Sequence, residues 1–240
     1  NDVPGVMTAS AMRHYANRYA AAAGQSIAVF TNNDSGYRTA RDMKANGVHV
    51  EAIIDSRDAS AADTAGIPVL RGHVVANVKG GKTVSGAELA GKDYLHSTLP
   101  CQALAMSGGW SPVVNLMCHR GARPIWNDAL AAFLPPDVGP QFVAAGSAAG
   151  KMLLSECLAD GAAKGTLKGR APAVPKCRDE AFAITPLWWV KESTGKAFVD
   201  YQNDATSKDL PLAAREGYNH IELAKRYTTT GMATDQGKLG

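Results

Sequence analysis

Nowhere in the 240 residues do 18 apolar positions run together, and no charged stretch leads into a short apolar one at the start. A membrane span and a secretory leader are therefore not expected. Basic runs are also missing. With 25 Lys and Arg against 22 Asp and Glu the net charge is only +3, and no stripe of cations offers the surface that neutralises nucleic-acid phosphates. Cysteine is scarce: Cys101, Cys118, Cys157 and Cys177 stand apart without C-x-x-C spacing, which argues against a zinc site and against a small disulfide scaffold. They read as reduced thiols, and the expected location is cytoplasmic. A starting Met is missing too, since the chain begins Asn1-Asp2-Val3-Pro4-Gly5, and we expect a piece of a longer protein. What is present, 45% hydrophobic and 20% charged residues, suits one large or two modest globular domains.

The hydrophobic pattern alternates between strand and helix periods. Met7 to Ala23 carries Met12, Tyr15 and Tyr19 at helical spacing and ends at Gly24, which suits a position just past a helix. Ile27 to Phe30 predicts a short buried strand, Ser35 to Lys44 a helix and Val48 to Ile54 a second strand. Together these form a βαβ unit of a parallel sheet. From Ile67 to Leu89 the pattern changes to apolar/polar alternation around Gly80-Gly81, predicting a hairpin, so that the sheet is mixed or carries an antiparallel flap. Leu95 to Met106 predicts another strand, running into a glycine turn, and Pro112 opens a helix through about Cys118. Gln141 to Ala145 reads as a short buried strand before Gly146-Ser147-Ala148-Ala149-Gly150, and Lys151 to Lys164 as the helix after it. Gly165 to about Asp179 has linker composition. Helices near 208–216 and 220–227 are expected beyond it.

Two turns could hold a nucleotide. The first, T-N-N-D-S-G over 31–36, has the strand–turn–helix setting of a dinucleotide fingerprint but keeps only Gly36 of its three small positions. Glycine is needed there for positive φ and for close approach of a pyrophosphate. Asp55 stands where an acid would take a ribose hydroxyl. We expect this unit to have kept the fold and lost tight binding. The second, A-A-G-S-A-A-G over 144–150, places small residues before a helix N-terminus, a setting that attracts phosphate; its other reading is a turn packed against a neighbouring strand. Cys118, His119 and His220 lack an identifiable Asp partner for nucleophilic chemistry. Trp188 and Trp189 read as core or interface, and Asp200, Asp204 and Asp209 as solvated acids near helix starts.

Four segments, N-D-V-P-G-V-M-T-A-S-A-M-R-H-Y-A-N-R-Y, V-F-T-N-N-D-S-G-Y-R-T-A, S-G-G-W-S-P-V-V-N-L and K-R-Y-T-T-T-G-M-A-T-D-Q-G-K, resemble the α subunits of heterotetrameric sarcosine oxidases. The resemblance follows the family's order along the chain and implies a central fragment of a much longer subunit. It implies an α/β fold of Rossmann-like dinucleotide-binding domains, of the two-dinucleotide-domain flavoprotein or pyridine nucleotide-disulfide oxidoreductase type, incomplete here, with a small mainly α C-terminal domain. On this pattern 1–106 is the inserted second nucleotide-binding-like domain and 107–165 the returning part of the first. Residues 166–180 are a linker, and 181–240 a small domain preceding a folate-binding one.

The family oxidatively demethylates sarcosine to glycine, passing the one-carbon unit to tetrahydrofolate and electrons to oxygen. The resemblance implies NAD on the α subunit, FAD and FMN mainly on the β subunit, and β, γ and δ subunits as partners, with neither nucleic acid nor membrane. Matched positions make Gly146, Ala148, Leu153 and Ser155 the expected NAD contacts, with no catalytic residue and no metal ligand in this stretch. Relatives that hold FAD carry Asp where Ser147 stands, so a ligand other than FAD is implied. Asp200, Gln202 and Asp235 stand near positions where iron–sulfur relatives have cysteines, and no cluster is expected. A related FAD-dependent amine or opine dehydrogenase or NAD(P)H oxidoreductase subunit, or a nucleotide-free docking scaffold, is the alternative.

Overall fold

A computed structural model describes residues 3–91, 94–166 and 169–237. Contacts divide the chain into two compact units, Asn1–Val190 and Lys191–Gly240.

The first unit opens with β1 (Val6–Thr8), α1 (Ala9–Tyr19), β2 (Ser26–Thr31), α2 (Ser35–Ala45), β3 (His49–Asp55) and β4 (Val69–Arg71). Next come β5 (His73–Gly80), β6 (Val84–Gly91), β7 (Tyr94–Pro100) and β8 (Ala103–Ser107). Strands β1, β8, β2, β3 and β4 lie side by side in that order, every neighbouring pair parallel. A parallel sheet must be covered on both faces, and the strand alternation shows how. Ile27 and Val29 of β2, with Ala103 and Ala105 of β8, face Met12 of α1 and Tyr37, Ala40 and Met43 of α2. The intervening Ala28, Phe30 and Leu104 face Val75, Val84, Ala87 and Leu89 of the antiparallel sheet β5-β6-β7. The flap expected around Gly80-Gly81 is thus a separate sheet forming the second cover.

Several boundaries differ from the sequence expectation. Met7 and Thr8 pair with β8 instead of starting the helix, and the Thr8 hydroxyl caps it by accepting from Ala11 N–H at 3.4 Å. The helix ends before Gly24 because Ala20 takes the left-handed turn itself, at φ 51°. The 95–106 strand is two strands. Pro100 has no N–H to continue a ladder, and Gln102 leaves the antiparallel sheet by donating its N–H to Ser26 O at 2.8 Å. Residues 141–145 join no ladder among the described residues, and Val143 is 55% exposed.

The remaining elements of the unit are α3 (Asn115–Cys118), the hairpin β9 (Ile125–Asn127) and β10 (Ala132–Leu134), a 3-10 turn over Gly146–Ala149 and α4 (Leu154–Gly165). The last helix starts three residues later than expected because Gly150 swings the backbone left-handed, φ 81°, and Leu153 is extended.

The second unit pairs β11 (Phe198–Asp200) with β12 (Ala205–Thr206), then packs α5 (Asp209–Arg215) on α6 (Ile221–Thr228), close to the helices expected there. Asp200 is not a solvated acid. It is 2% exposed and accepts N–H groups from Gln202 (2.8 Å), Asn203 (3.2 Å) and Gly231 (2.7 Å). The Gly231 bond foremost holds its carboxyl below the usual range.

Candidate functional site

At the carboxyl end of β2, where an open α/β sheet binds its ligand, Thr31, Asn32, Asn33 and Asp34 are all buried. Their polar groups satisfy one another. Thr31 Oγ1 donates to Asn33 O at 2.7 Å and accepts from Asn33 N at 3.1 Å. Asn33 Nδ2 donates to Asn32 Oδ1 (2.8 Å) and Ser107 O (3.0 Å), and Asn33 Oδ1 receives Ser35 N–H at 3.0 Å and the Ser35 hydroxyl. Thr31 also occupies the room beneath Gly36, where an added Cβ would lie 2.4 Å from Thr31 Oγ1. The one retained glycine therefore serves packing.

Asp55, the expected ribose partner, is fully buried at the end of β3. Arg57 grips it with Nε at 3.0 Å and Nη2 at 2.8 Å, and the Tyr37 hydroxyl donates to it at 2.8 Å. The same Arg57 Nη2 lies 2.8 Å from Asp34 Oδ1. Burial, then the hydrogen bond to Asp55, pushes Tyr37 up to about 12. Burial pulls the Arg57 guanidinium down, but its bonds to Asp55 and Asp34 outweigh that and its pKa rises.

A strap of chain closes the loop from above. Asn33 bridges antiparallel to Ile184. Asp34 N–H donates to Ala183 O (3.1 Å), Thr185 N–H to Asn32 O (3.0 Å) and Ala183 N–H to the Asp34 carboxylate (2.8 Å), while Arg57 Nη1 adds a bond to Ala183 O at 2.9 Å. Backbone of this chain thus takes the loop groups a pyrophosphate would use. The sequence reading missed the strap. Its one signal is Ile184-Thr185 ahead of Pro186, a β-branched pair biased toward extended backbone.

In the second turn Gly146 is buried and Ser147 exposed, and the Gly146 donor is engaged. Gly146, at φ 59°, gives its N–H to Asp160 Oδ2 of α4 at 2.8 Å, and Lys164 ties Ala144 O at 2.8 Å. Ser155 N–H, in the first turn of α4, goes to Asp179 Oδ1 at 2.9 Å, and the Ser155 hydroxyl goes to Asp179 Oδ2. The Gly146 bond lowers the Asp160 pKa, and the two Ser155 bonds lower that of Asp179. The helix N-terminus is thus capped by an internal anion.

A cleft of about 310 Å³ lies between the two turns, lined by Arg13, Asp34, Ser35 and Arg38 on one side and by Ser147, Lys151, Met152, Leu154 and Cys157 on the other. Trp110, Arg178, Glu180, Ala181 and Phe182 complete it. Gly146, Ala148, Leu153 and Ser155 stand beside it in sequence, but none lines it.

Of the other candidates, Cys118 is an unbonded thiol near the end of α3. The His220 ring accepts Glu222 N–H at the start of α6. Trp188, 76% exposed, is not core, and its ring lies 5.9 Å from that of Trp126. Asp204 holds a left-handed backbone turn, and Asp209 accepts Thr206 N–H at 2.6 Å. Among the described residues no group of three or more His, Cys, Asp or Glu side chains could hold a metal, and no helix is long and apolar enough to cross a membrane.

Residues 194–240 match the sarcosine oxidase A3 domain family. The sarcosine oxidase subunit alpha of Rhizobium meliloti (strain 1021) is 46% identical over 251 residues, an alignment covering 100% of this chain and 25% of that protein. This chain is similar to sarcosine oxidase α subunits over its whole length. A second such subunit, from Corynebacterium sp. (strain U-96), is 35% identical over 264 residues, covering 99% of this chain and 27% of the relative. The chain thus spans about a quarter of the length of these α subunits. Among solved structures, the L-proline dehydrogenase from P. horikoshii superposes with a TM-score of 0.66 over 99% of this chain and 46% of its own, at 17% identity. That likeness shows the fold, and the fold is Rossmann-like α/β with a small C-terminal part that includes two helices.

Proposed function

We propose that the chain is part of the α subunit of a sarcosine oxidase, an oxidoreductase that demethylates sarcosine to glycine, delivers the one-carbon unit to tetrahydrofolate and passes electrons to oxygen. The observation that carries this reading is 46% identity sustained over the whole chain. In the proposal this stretch binds NAD and contacts the β, γ and δ subunits, FAD and FMN being held mainly by β, and it supplies no catalytic residue. Residues 1–106 are the inserted domain, 107–165 the return of the first, 166–180 the linker and 181–240 the small domain before a folate-binding one.

Gly146, Ala148, Leu153 and Ser155 are the proposed NAD contacts. The small side chains over 146–150, of which Ser147 is exposed, support this reading, whereas the 31–36 loop is filled by its own side chains and by the strap. The turn offers no open backbone phosphate cradle at Gly146 or Ser155, because Asp160 and Asp179 hold those N–H groups. When bound, NAD would stabilise the folded subunit, by about 2.7 kcal/mol at a hundredfold excess over its dissociation constant.

The test is to purify the full-length protein with its copurifying chains, measure sarcosine-dependent oxygen consumption and identify released cofactors. Oxygen uptake with sarcosine and release of NAD support the reading; activity on another amine only, or no turnover, refutes the substrate assignment. The closed 31–36 loop favours one second reading, a nucleotide-free docking scaffold, which predicts active complex without NAD.

A further inference from the structure

A phosphate laid on the 146–155 turn finds two obvious backbone donors already spent, Gly146 N–H on Asp160 and Ser155 N–H on Asp179. Positive charge must then come from side chains, and the adjoining cleft supplies it. Arg13, Arg38, Lys151 and Arg178 line its walls. Two acids, Asp34 and Glu180, share the lining with these four cations. Arg13 pairs with Asp42 at 2.9 Å, but Arg38 lies 3.6 Å from a Glu180 that is closer to Arg41, at 2.9 Å. Asp34, the other acid on the wall, is committed to Arg57, Ser60 and Ala183. Lys151 acts on Asp160 through charge alone, without an ion-pair contact, and Arg178 makes no ion pair or side-chain hydrogen bond among the described residues. Burial first, and then the charge of Arg38, lowers the Arg13 pKa, while Asp42 and Glu180 act the other way. Crowded like charges in a cleft are a feature of sites that an opposite charge completes.

We infer that this cleft is a phosphate site, in which Lys151 and Arg178, backed by Arg13 and Arg38, hold the phosphate oxygens of a ligand. On the NAD reading above, on which this assignment of the ligand rests, those oxygens are the dinucleotide's diphosphate. The same cations would take free inorganic phosphate or pyrophosphate. Arginine offers a planar fork to phosphate and lysine a mobile point charge, and Ser147 adds a hydroxyl to the same wall.

The experiment is calorimetric titration of the full-length protein with NAD and, separately, with inorganic pyrophosphate, at two chloride concentrations. The variants are Lys151→Ala with Arg178→Ala and the charge-keeping pair Lys151→Arg with Arg178→Lys. Each lost charge-assisted bond should weaken phosphate binding about tenfold, and the double alanine variant should flatten the salt dependence, while the charge-keeping pair stays close to the parent. Unchanged NAD affinity in the double alanine variant overturns the cleft assignment and leaves the NAD reading standing. Variant-sensitive binding of pyrophosphate with no binding of NAD supports the cleft and overturns the NAD reading. Binding of neither overturns both, and equal weakening by the charge-keeping pair overturns the cleft by showing that charge is not what is read.

Discussion

Replacing Arg57 by methionine removes the group that neutralises two buried carboxylates. Asp55 is 0% exposed and loses three guanidinium hydrogen bonds, of 3.0, 3.2 and 2.8 Å, while Asp34 loses its 2.8 Å ion pair and Ala183 O its 2.9 Å donor. What remains for Asp55 is the Tyr37 hydroxyl and the backbone N–H at 57. Breaking a buried pair from one side costs about 3–5 kcal/mol, because the other charge stays behind without a partner. For a unit of this size each kcal/mol moves the midpoint by roughly 2–4 °C, so Tm of the first unit should fall by about 6–20 °C. Calorimetry of the full-length protein measures it. The strap should also loosen, so limited proteolysis should cut near residues 181–186 faster in the variant. A loss below about 1 kcal/mol, with proteolysis unchanged, would refute the claim that Arg57 holds the loop and strap together, since that is the range of exposed pairs.

Gly36→Ala should destabilise by about 1–3 kcal/mol through overpacking against Thr31, and Thr31→Gly in the same chain should recover part of the loss, read from urea midpoints. Tyr37 should titrate at about 12, followed by tyrosinate absorbance. Because its folded pKa lies above the unfolded value of about 10, its contribution is complete below pH 10 and lost as pH rises toward 12. Asp160, Asp179 and Asp200 have the opposite sign. Their folded values lie below the unfolded value of about 3.9, so their stabilisation is present above it and disappears as pH falls through the folded values. Asp200→Asn should weaken the acid dependence of the Lys191–Gly240 unit, and an unchanged acid profile would count against the Gly231 bond as its cause.

The βαβ core was legible because its strands are short apolar runs and its helix α2 has a clear period; Ser26–Thr31, Ser35–Ala45 and His49–Asp55 fall within a residue or so of expectation. The turn at Gly80-Gly81 was legible too, its chemistry being local, but the run before it divides at Gly72, φ 66°, into β4, parallel with β3, and β5 of the hairpin. What sequence could not give depends on distant partners. Residues 141–145 have the composition of a strand, but a ladder needs a neighbour, and none of the described strands supplies one. It was legible from the sequence that larger side chains replace glycines in the 31–36 loop. Its occupation by Ala183–Thr185 was not, because that contact links positions about 150 residues apart. Nor could spacing show that Asp160 and Asp179 already hold the donors of the second turn, or that Asp200 is buried among backbone N–H groups.

The proposed nucleotide site is Gly146 to Ser155 with its neighbouring cleft, and the 31–36 loop, filled by its own side chains and the strap, is proposed to bind none. Measuring the nucleotide released per mole from the full-length protein and two variants tests it most directly. NAD content should be unchanged by Thr31→Gly with Asn33→Gly, provided the folded fraction is matched, and should drop with Ala148→Phe. Loss of NAD from the loop variant, with full content in Ala148→Phe, would contradict the account and return the site to the end of β2.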